Sequence, residues 1–398
     1  MARIVYQELK KPEPIFYALV TLHVVVIAVG LLAALYMEHS GHVVTGMNNQ
    51  IVWGLPHVFA VFLIVAASGA LNVASISSVF QKLDYKPFAR LSGLLAVSLL
   101  VGGLSVLVLD LGRPERLIVA MTTYNFKSIF AWNIYLYTGF VGIVAAYLWT
   151  MMDRTATRFN KPVAFLAFMW RLILTTGTGS IFGFLMAREA YDAAIMAPLF
   201  IAASFAYGLA FTILALITMC RSMNAMLMTD EVVYKFRGLM IIFILAVLYF
   251  TTVMHITNMY ATEHHGVERF LLLDGGAYTA IFWLGQVVIG SLVPLGILGY
   301  GPVGKTRWGL TIASLLVLVG GLAQMYVIIV AGQAYPLDLF PGMDVTSTFG
   351  DGQVAHYLPT LPELLLGIAG ISIAMLLAGV AILFLRFLPD PKTVVPNA

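Results

Sequence analysis

Residues 238–261 read GLMIIFILAVLYFTTVMHITNMYA, a run of 24 residues whose only ionisable group apart from tyrosine is His255. At about 1.5 Å per residue such a run, coiled as an α-helix, crosses the roughly 30 Å of hydrocarbon in a bilayer. Working outward, runs of the same kind fall at 14–37, 51–80, 88–110, 128–152, 162–187, 193–220, 278–300, 308–334 and 361–385. Together they predict an all-α membrane protein of ten spans. Segments of about ten residues alternating in polarity, the mark of a membrane β-barrel, are absent from the pattern.

The composition agrees: 61% of the 398 residues are hydrophobic and only 10% are charged, against about a quarter charged in soluble domains. The single cysteine, Cys220, offers no intrachain disulfide and no Cys-ligated cluster. The polar N-terminal stretch MARIVYQELKKPEP makes the first apolar run a span and not a cleaved signal. The net charge of +3 is spread over the connections, which argues against a nucleic-acid partner.

An even number of spans puts both termini on one side. Of the 22 Lys and Arg residues, 16 fall on the terminal side and 5 on the opposite side, with Arg171 inside a span. Positive residues gather on the cytoplasmic side, so both termini are expected there, in a bacterial or archaeal inner membrane. The opposite side holds 12 of the 19 acids, as loop filler or as a dock for an external protein. The connection 333–360 is long for a plain loop and reads as a binding segment or an exposed loop. One integral membrane domain, 1–398, is expected, its core 51–334 built as two four-helix bundles flanked by 14–37 and 361–385.

Ionisable groups inside spans are costly and mark function by default. The rule selects His23, His57, Arg171 and His255, with Asp110 closing the third span. His57 and His255 both fall about six residues from the outer ends of their runs, at one depth beneath the acidic side, and Asp110, Arg113, Tyr124 and Trp132 follow at the same face. Imidazoles and a desolvated carboxyl near aromatic rings suit a quinone headgroup, whose oxygens take up or release protons. A core histidine bonded to a carbonyl fits His57 alone equally well. His23, Gln286 and Gln324 read as interhelical hydrogen-bonding groups, and Arg171 as a side chain that snorkels or pairs with a carboxylate or carbonyl. Counting histidines leaves one bis-His haem between His57 and His255 open but rules out a four-His, two-haem pattern. No metal-ligand set is expected.

Trp53-Gly54-Leu55-Pro56-His57, Asp110-Leu111-Gly112-Arg113-Pro114 and Tyr124-Asn125-Phe126-Lys127-Ser128 with Trp132 resemble the NrfD/PsrC family of membrane subunits. The likeness runs through the second to ninth spans, and ten spans resemble the branch that includes DsrP-type subunits of sulfite-reductase-linked complexes. It implies a subunit, not catalytic alone, that exchanges electrons between the quinone pool (menaquinone or ubiquinone) and a periplasmic ferredoxin-like iron–sulfur subunit. It implies no haem or iron–sulfur cluster in this chain, and further partners in a membrane cytochrome or cytoplasmic catalytic subunits. His57 would serve the quinone, with Asp110 and His255 as proton-handling groups and Trp53, Arg113, Tyr124 and Trp132 around the headgroup. The competing class is a secondary transporter or proton-translocating subunit without quinone chemistry, which predicts ionisable groups near the midplane on interrupted helices.

Overall fold

A computed structural model describes residues 4–337, 343 and 352–394. Among the described residues, ten helices are long and apolar enough to cross a membrane: α1 (Pro14–Ser40), α2 (Leu55–Ser78), α3 (Leu83–Leu109), α4 (Ile129–Met152), α5 (Ala156–Gly183), α6 (Met196–Ser222), α7 (Asp230–Tyr260), α8 (Ala277–Gly299), α9 (Arg307–Ala334) and α10 (Leu361–Phe384). The protein is a multi-pass membrane protein. Its acids Asp338, Asp344 and Asp351, and half of the long connection before α10, lie outside the described residues.

The termini meet. β1 (Tyr6–Gln7) pairs antiparallel with β2 (Leu388–Pro389) in the register Tyr6↔Pro389, and the Arg90 guanidinium sits 3.9 Å over the Tyr6 ring. The opposite face, where α2, α4, α6, α8 and α10 begin, is called distal below.

Helices α2 to α5 form one four-helix group and α6 to α9 a second, joined where α6 packs on α2 and α5. The joint is tight because Gly69 faces the Ser204 backbone and Gly208 faces the Gly69–Ala70 backbone, and a Cβ on either would collide with main-chain atoms. α1 packs on α10, and α10 lies against α2 and α3. Polar side chains cap several starts: Ser128 accepts from Ala131 N (3.4 Å), Thr229 from Val232 N (3.4 Å) and Thr306 from Gly309 N (3.0 Å).

Arg171 is buried and does not snorkel. Its Nη1 donates to the Ser68 carbonyl at 3.4 Å, and its guanidinium lies 5.0 Å from both the Phe168 and Phe205 rings. His23 lines an apolar cavity beside Phe16 and Met375, and its buried Nδ1 finds no hydrogen-bond partner, contrary to the expected interhelical bond. Gln324 does bridge helices: Tyr207 OH donates to its Oε1, and its Nε2 donates to Thr251 Oγ1 at 3.5 Å.

Candidate functional site

The distal end of α2 is held by two knots from distant parts of the sequence. Gln333, at the end of α9, accepts from Val52 N and Trp53 N at 3.0 Å each and donates to Trp53 O at 3.0 Å and Ile329 O at 2.8 Å. Tyr357 accepts from Leu55 N at 2.6 Å and donates to Glu363 Oε1 at 2.6 Å. Glu363 Oε2 accepts from Thr360 N (2.8 Å), Thr360 Oγ1 (2.8 Å) and Gly46 N (2.9 Å). These bonds keep residues 51–54 out of the helix, so α2 begins four residues later than its apolar run. His57 is therefore two residues from the helix start, about 3 Å along it, whereas His255 is five residues from the end of α7, about 7.5 Å along it. The two histidines share the distal face but not the common distance from their helix ends that the apolar runs implied.

His57 Nδ1 lies 2.9 Å from Asp110 Oδ2. On the other side of the carboxylate, His42 Nε2 lies 3.7 Å from Oδ1 and donates to the Asp110 backbone oxygen at 3.0 Å. The Asp110 side chain is fully buried, yet neither carboxylate oxygen makes an aligned hydrogen bond. Proximity to the two rings holds it, not directional bonding. The Asp110 carboxylate beside it, with the bond to the Asp110 backbone oxygen, raises the His42 imidazole above its ordinary value, with burial opposing. A buried carboxylate without directional partners is costly, and such exceptions call for a functional account.

With Nδ1 turned to Asp110, Nε2 is the His57 nitrogen left for a ligand. His57 lines a crevice of about 390 Å³ between α2, α3, α4 and α5, within the usual range of small-ligand sites. The walls are apolar, among them Ile64, Leu107, Ile134 and Phe182. Leu111 and Phe130, which also line it, are 43% and 42% exposed, so the crevice reaches the outer surface of the bundle. Trp53 forms part of the wall, its ring 5.7 Å from Phe130, 6.0 Å from Phe182 and 6.4 Å from both His57 and Tyr191.

A second polar pole in the crevice comes from Asn133 and Tyr137 of α4, backed from behind by Thr178 of α5. Tyr137 OH and Thr178 Oγ1 are 3.2 Å apart. Asn133 Nδ2 donates to Ile129 O (2.9 Å) and Gly177 O (3.1 Å), while its Oδ1 accepts from Thr178 at 3.5 Å.

Of the residues singled out in the sequence, the structure joins Trp53, His57 and Asp110. Arg113, Tyr124 and Trp132 do not line the crevice; Arg113 is exposed, and Tyr124 lies in an aromatic group with Phe126, Trp132 and Tyr135 on the rim. The connection 111–128 turns Leu111, Leu117 and Met121 to the crevice and leaves Arg113 and Tyr124 off its wall. His255 lies elsewhere, in the second bundle, where its Nδ1 is 2.6 Å from Glu268 Oε2. His57 and His255 line different cavities, so they do not flank a common haem space. Sequence reasoning missed His42, Tyr137, Thr178 and Glu268. For Tyr137 a signal existed: Phe130, Asn133, Ile134, Tyr137 and Thr138 follow helical spacing on one face of α4.

The pattern of the polysulphide reductase NrfD family matches residues 43–336, nearly three quarters of the chain. The chain belongs to the NrfD family. Over 384 residues it is 28% identical to the Hdr-like menaquinol oxidoreductase integral membrane subunit of Archaeoglobus fulgidus, covering 94% of each sequence. It is 23% identical over 393 residues to a selenate reductase subunit of Mesobacillus selenatarsenatis, covering 89% of this sequence and 90% of that one. A polysulfide reductase polypeptide of Wolinella succinogenes is 25% identical over 309 residues, covering 72% of this sequence and 96% of the relative. The family match takes in both four-helix groups and leaves α1 and α10 outside it.

Proposed function

We propose that the protein exchanges electrons between a membrane quinone and an iron–sulfur subunit docked on its distal face. The bias of Lys and Arg toward the other face supports a periplasmic distal side in this reading. The observation that carries the reading is the His57–Asp110 pair facing an apolar crevice large enough for a quinone ring and open at the bundle surface to its tail. The relatives named as a menaquinol oxidoreductase subunit and as parts of reductases support it and favour menaquinone.

In the oxidative direction the quinol hydroxyl gives its proton to His57 Nε2 as electrons leave, and Asp110 stabilises the resulting imidazolium through Nδ1. The other quinol oxygen bonds at the Asn133–Tyr137 pole. Two electrons pass to the partner and two protons leave the ring, giving quinone; reduction runs the same steps backwards. Arg113, Tyr124 and Trp132, on the exposed rim, belong in this reading to the docking surface and not to the quinone cradle.

The test is quinol-dependent reduction by the purified complex. His57→Gln should lower turnover by about 10²–10⁴-fold, the usual worth of a positioned acid–base group. Unchanged turnover would remove the assignment.

A further inference from the structure

The second bundle contains a buried acid–base pair that the quinone reading leaves unused. His255 Nδ1 is 2.6 Å from Glu268 Oε2, and Glu268 Oε1 accepts from Asn258 Nδ2 at 2.9 Å. Glu268 is 2% exposed and His255 6%. With Nδ1 donating to the carboxylate, Nε2 keeps a free lone pair, and it is buried without a hydrogen-bond partner.

In front of His255 is a cavity of about 20 Å³, lined also by Gln286, Gln324 and Phe282, whose ring meets the imidazole edge-on at 4.9 Å. About 10–15 Å³ is enough for one water where polar partners are present. Nε2 and the two glutamines supply such partners, while no organic ligand fits. From this geometry we infer that His255 and Glu268 form a proton-loading site, separate from the crevice at His57. Nε2 accepts a proton relayed through the water as hydronium, which leaves the water neutral, and Glu268 stays beside the imidazolium, so no unpaired charge is created in the interior.

Two further observations fit the assignment. Gln286 and Gln324 also line a second small cavity with Tyr207 and Ser291, extending the polar lining from His255 along α8 toward the opposite face. Gln286 lies in the π-helical stretch Ile281–Leu292, a rare wide turn that recurs at functional sites. On the distal side, His264 lies four residues before Glu268, buried, with Nε2 3.7 Å from the exposed carboxylate of Glu263.

The other charged and titratable neighbours can be named. On the same connection Arg269 is paired with Asp274 at 2.6 Å. On the segment between α5 and α6, beside Ala190 of the cavity wall, lie Arg188, Glu189, Tyr191 and Asp192; Arg188 donates to Gln333 O and Gln50 O at 2.8 Å each, and Tyr191 to Ile329 O at 2.7 Å. Tyr207 stands on α6, and Tyr326 and Tyr335 at the distal end of α9.

The proposal does not rest on the quinone reading, and its test avoids quinone. Purified protein carrying His57→Gln and Asp110→Asn, which silence the first pair, is followed by pH-difference infrared spectroscopy with ring-labelled histidine. The six other histidines contribute imidazolium bands of their own, so the His255 component is read as the difference on adding His255→Gln, and a loss of imidazolium signal is expected there. Glu268→Gln, which keeps a bonding partner for Nδ1 but removes the charge beside the imidazolium, is the second variant, and it should remove the same component. Survival of the whole signal in either folded variant overturns the proposal, as does its absence before they are made.

Discussion

His57–Asp110 and His255–Glu268 are the same chemical pair in two settings. Each joins an imidazole Nδ1 to a carboxylate near the distal face, at 2.9 Å and 2.6 Å respectively. The first looks into about 390 Å³ of apolar space that reaches the bundle surface, the second into about 20 Å³ closed by Phe282 and the two glutamines. Size and lining are thus the basis for proposing different ligands for one pair of functional groups, a quinone ring for the first and a proton for the second. The carboxylates differ too: Glu268 is fixed by Asn258, whereas Asp110 lies between two rings without aligned bonds, so its charge acts freely on His57.

The largest effect that would break this contrast is expected at Asp110. Asp110→Asn keeps the shape and removes the charge that stabilises the His57 imidazolium, so quinol turnover should fall about 10²-fold or more, while a quinone analogue still binds. Equal turnover would reduce the first pair to a structural contact.

Next comes Glu268→Ala, which strips the second pair of its carboxylate and leaves Asn258 and His255 without their partner inside the bundle. Removing one member of a buried pair costs about 3–5 kcal/mol, so the variant should unfold markedly earlier in a detergent thermal melt. A melt matching wild type would mean that the second site is wetter than its burial implies.

Leu107→Trp sharpens the comparison of volumes. The added ring narrows the first crevice at its α3 wall, and overpacking of this kind costs about 1–3 kcal/mol. The Michaelis constant for quinol should rise roughly tenfold, the equivalent of 1.4 kcal/mol, with a smaller change in kcat. An unaltered constant would place the quinone elsewhere.

How much of this was legible in the sequence differs between spans and site. Polarity marks where hydrocarbon ends, and several spans follow it closely: α4 starts at Ile129, α9 at Arg307 and α10 at Leu361, each within a residue of the apolar run. A helix need not stop with the hydrocarbon, however. α7 starts at Asp230, eight residues before the run, because Thr229 caps it, Asp230 and Glu231 suit a helix start, and Lys235 binds Glu231 at 2.6 Å. His57, Asp110 and His255 stood out because hydrocarbon makes any ionisable group conspicuous. Their partners did not: His42 and Glu268 lie on connections, where a histidine or an acid is ordinary, and only the folding of those connections back onto the helix ends brings them into contact.

The smallest effect tests the looseness of the first carboxylate. The His42 value is raised by the Asp110 carboxylate beside it, so the folded state holds that proton more tightly than the unfolded polypeptide. The resulting stability is fully present below the ordinary histidine value of about 6.5 and is lost as pH rises through the raised one. The His42 side chain is 37% exposed, so solvent screening keeps the gain below about 1 kcal/mol. His42→Gln should therefore lower the melting temperature slightly near pH 6 and by less at higher pH. The second pair has no counterpart to His42, so Asn258→Ala should lower the melt by a similar amount at both. A His42→Gln deficit that grew with pH would have the wrong sign for a protonated His42 beside Asp110, and the contrast between a carboxylate held by charge and one held by bonds would fail.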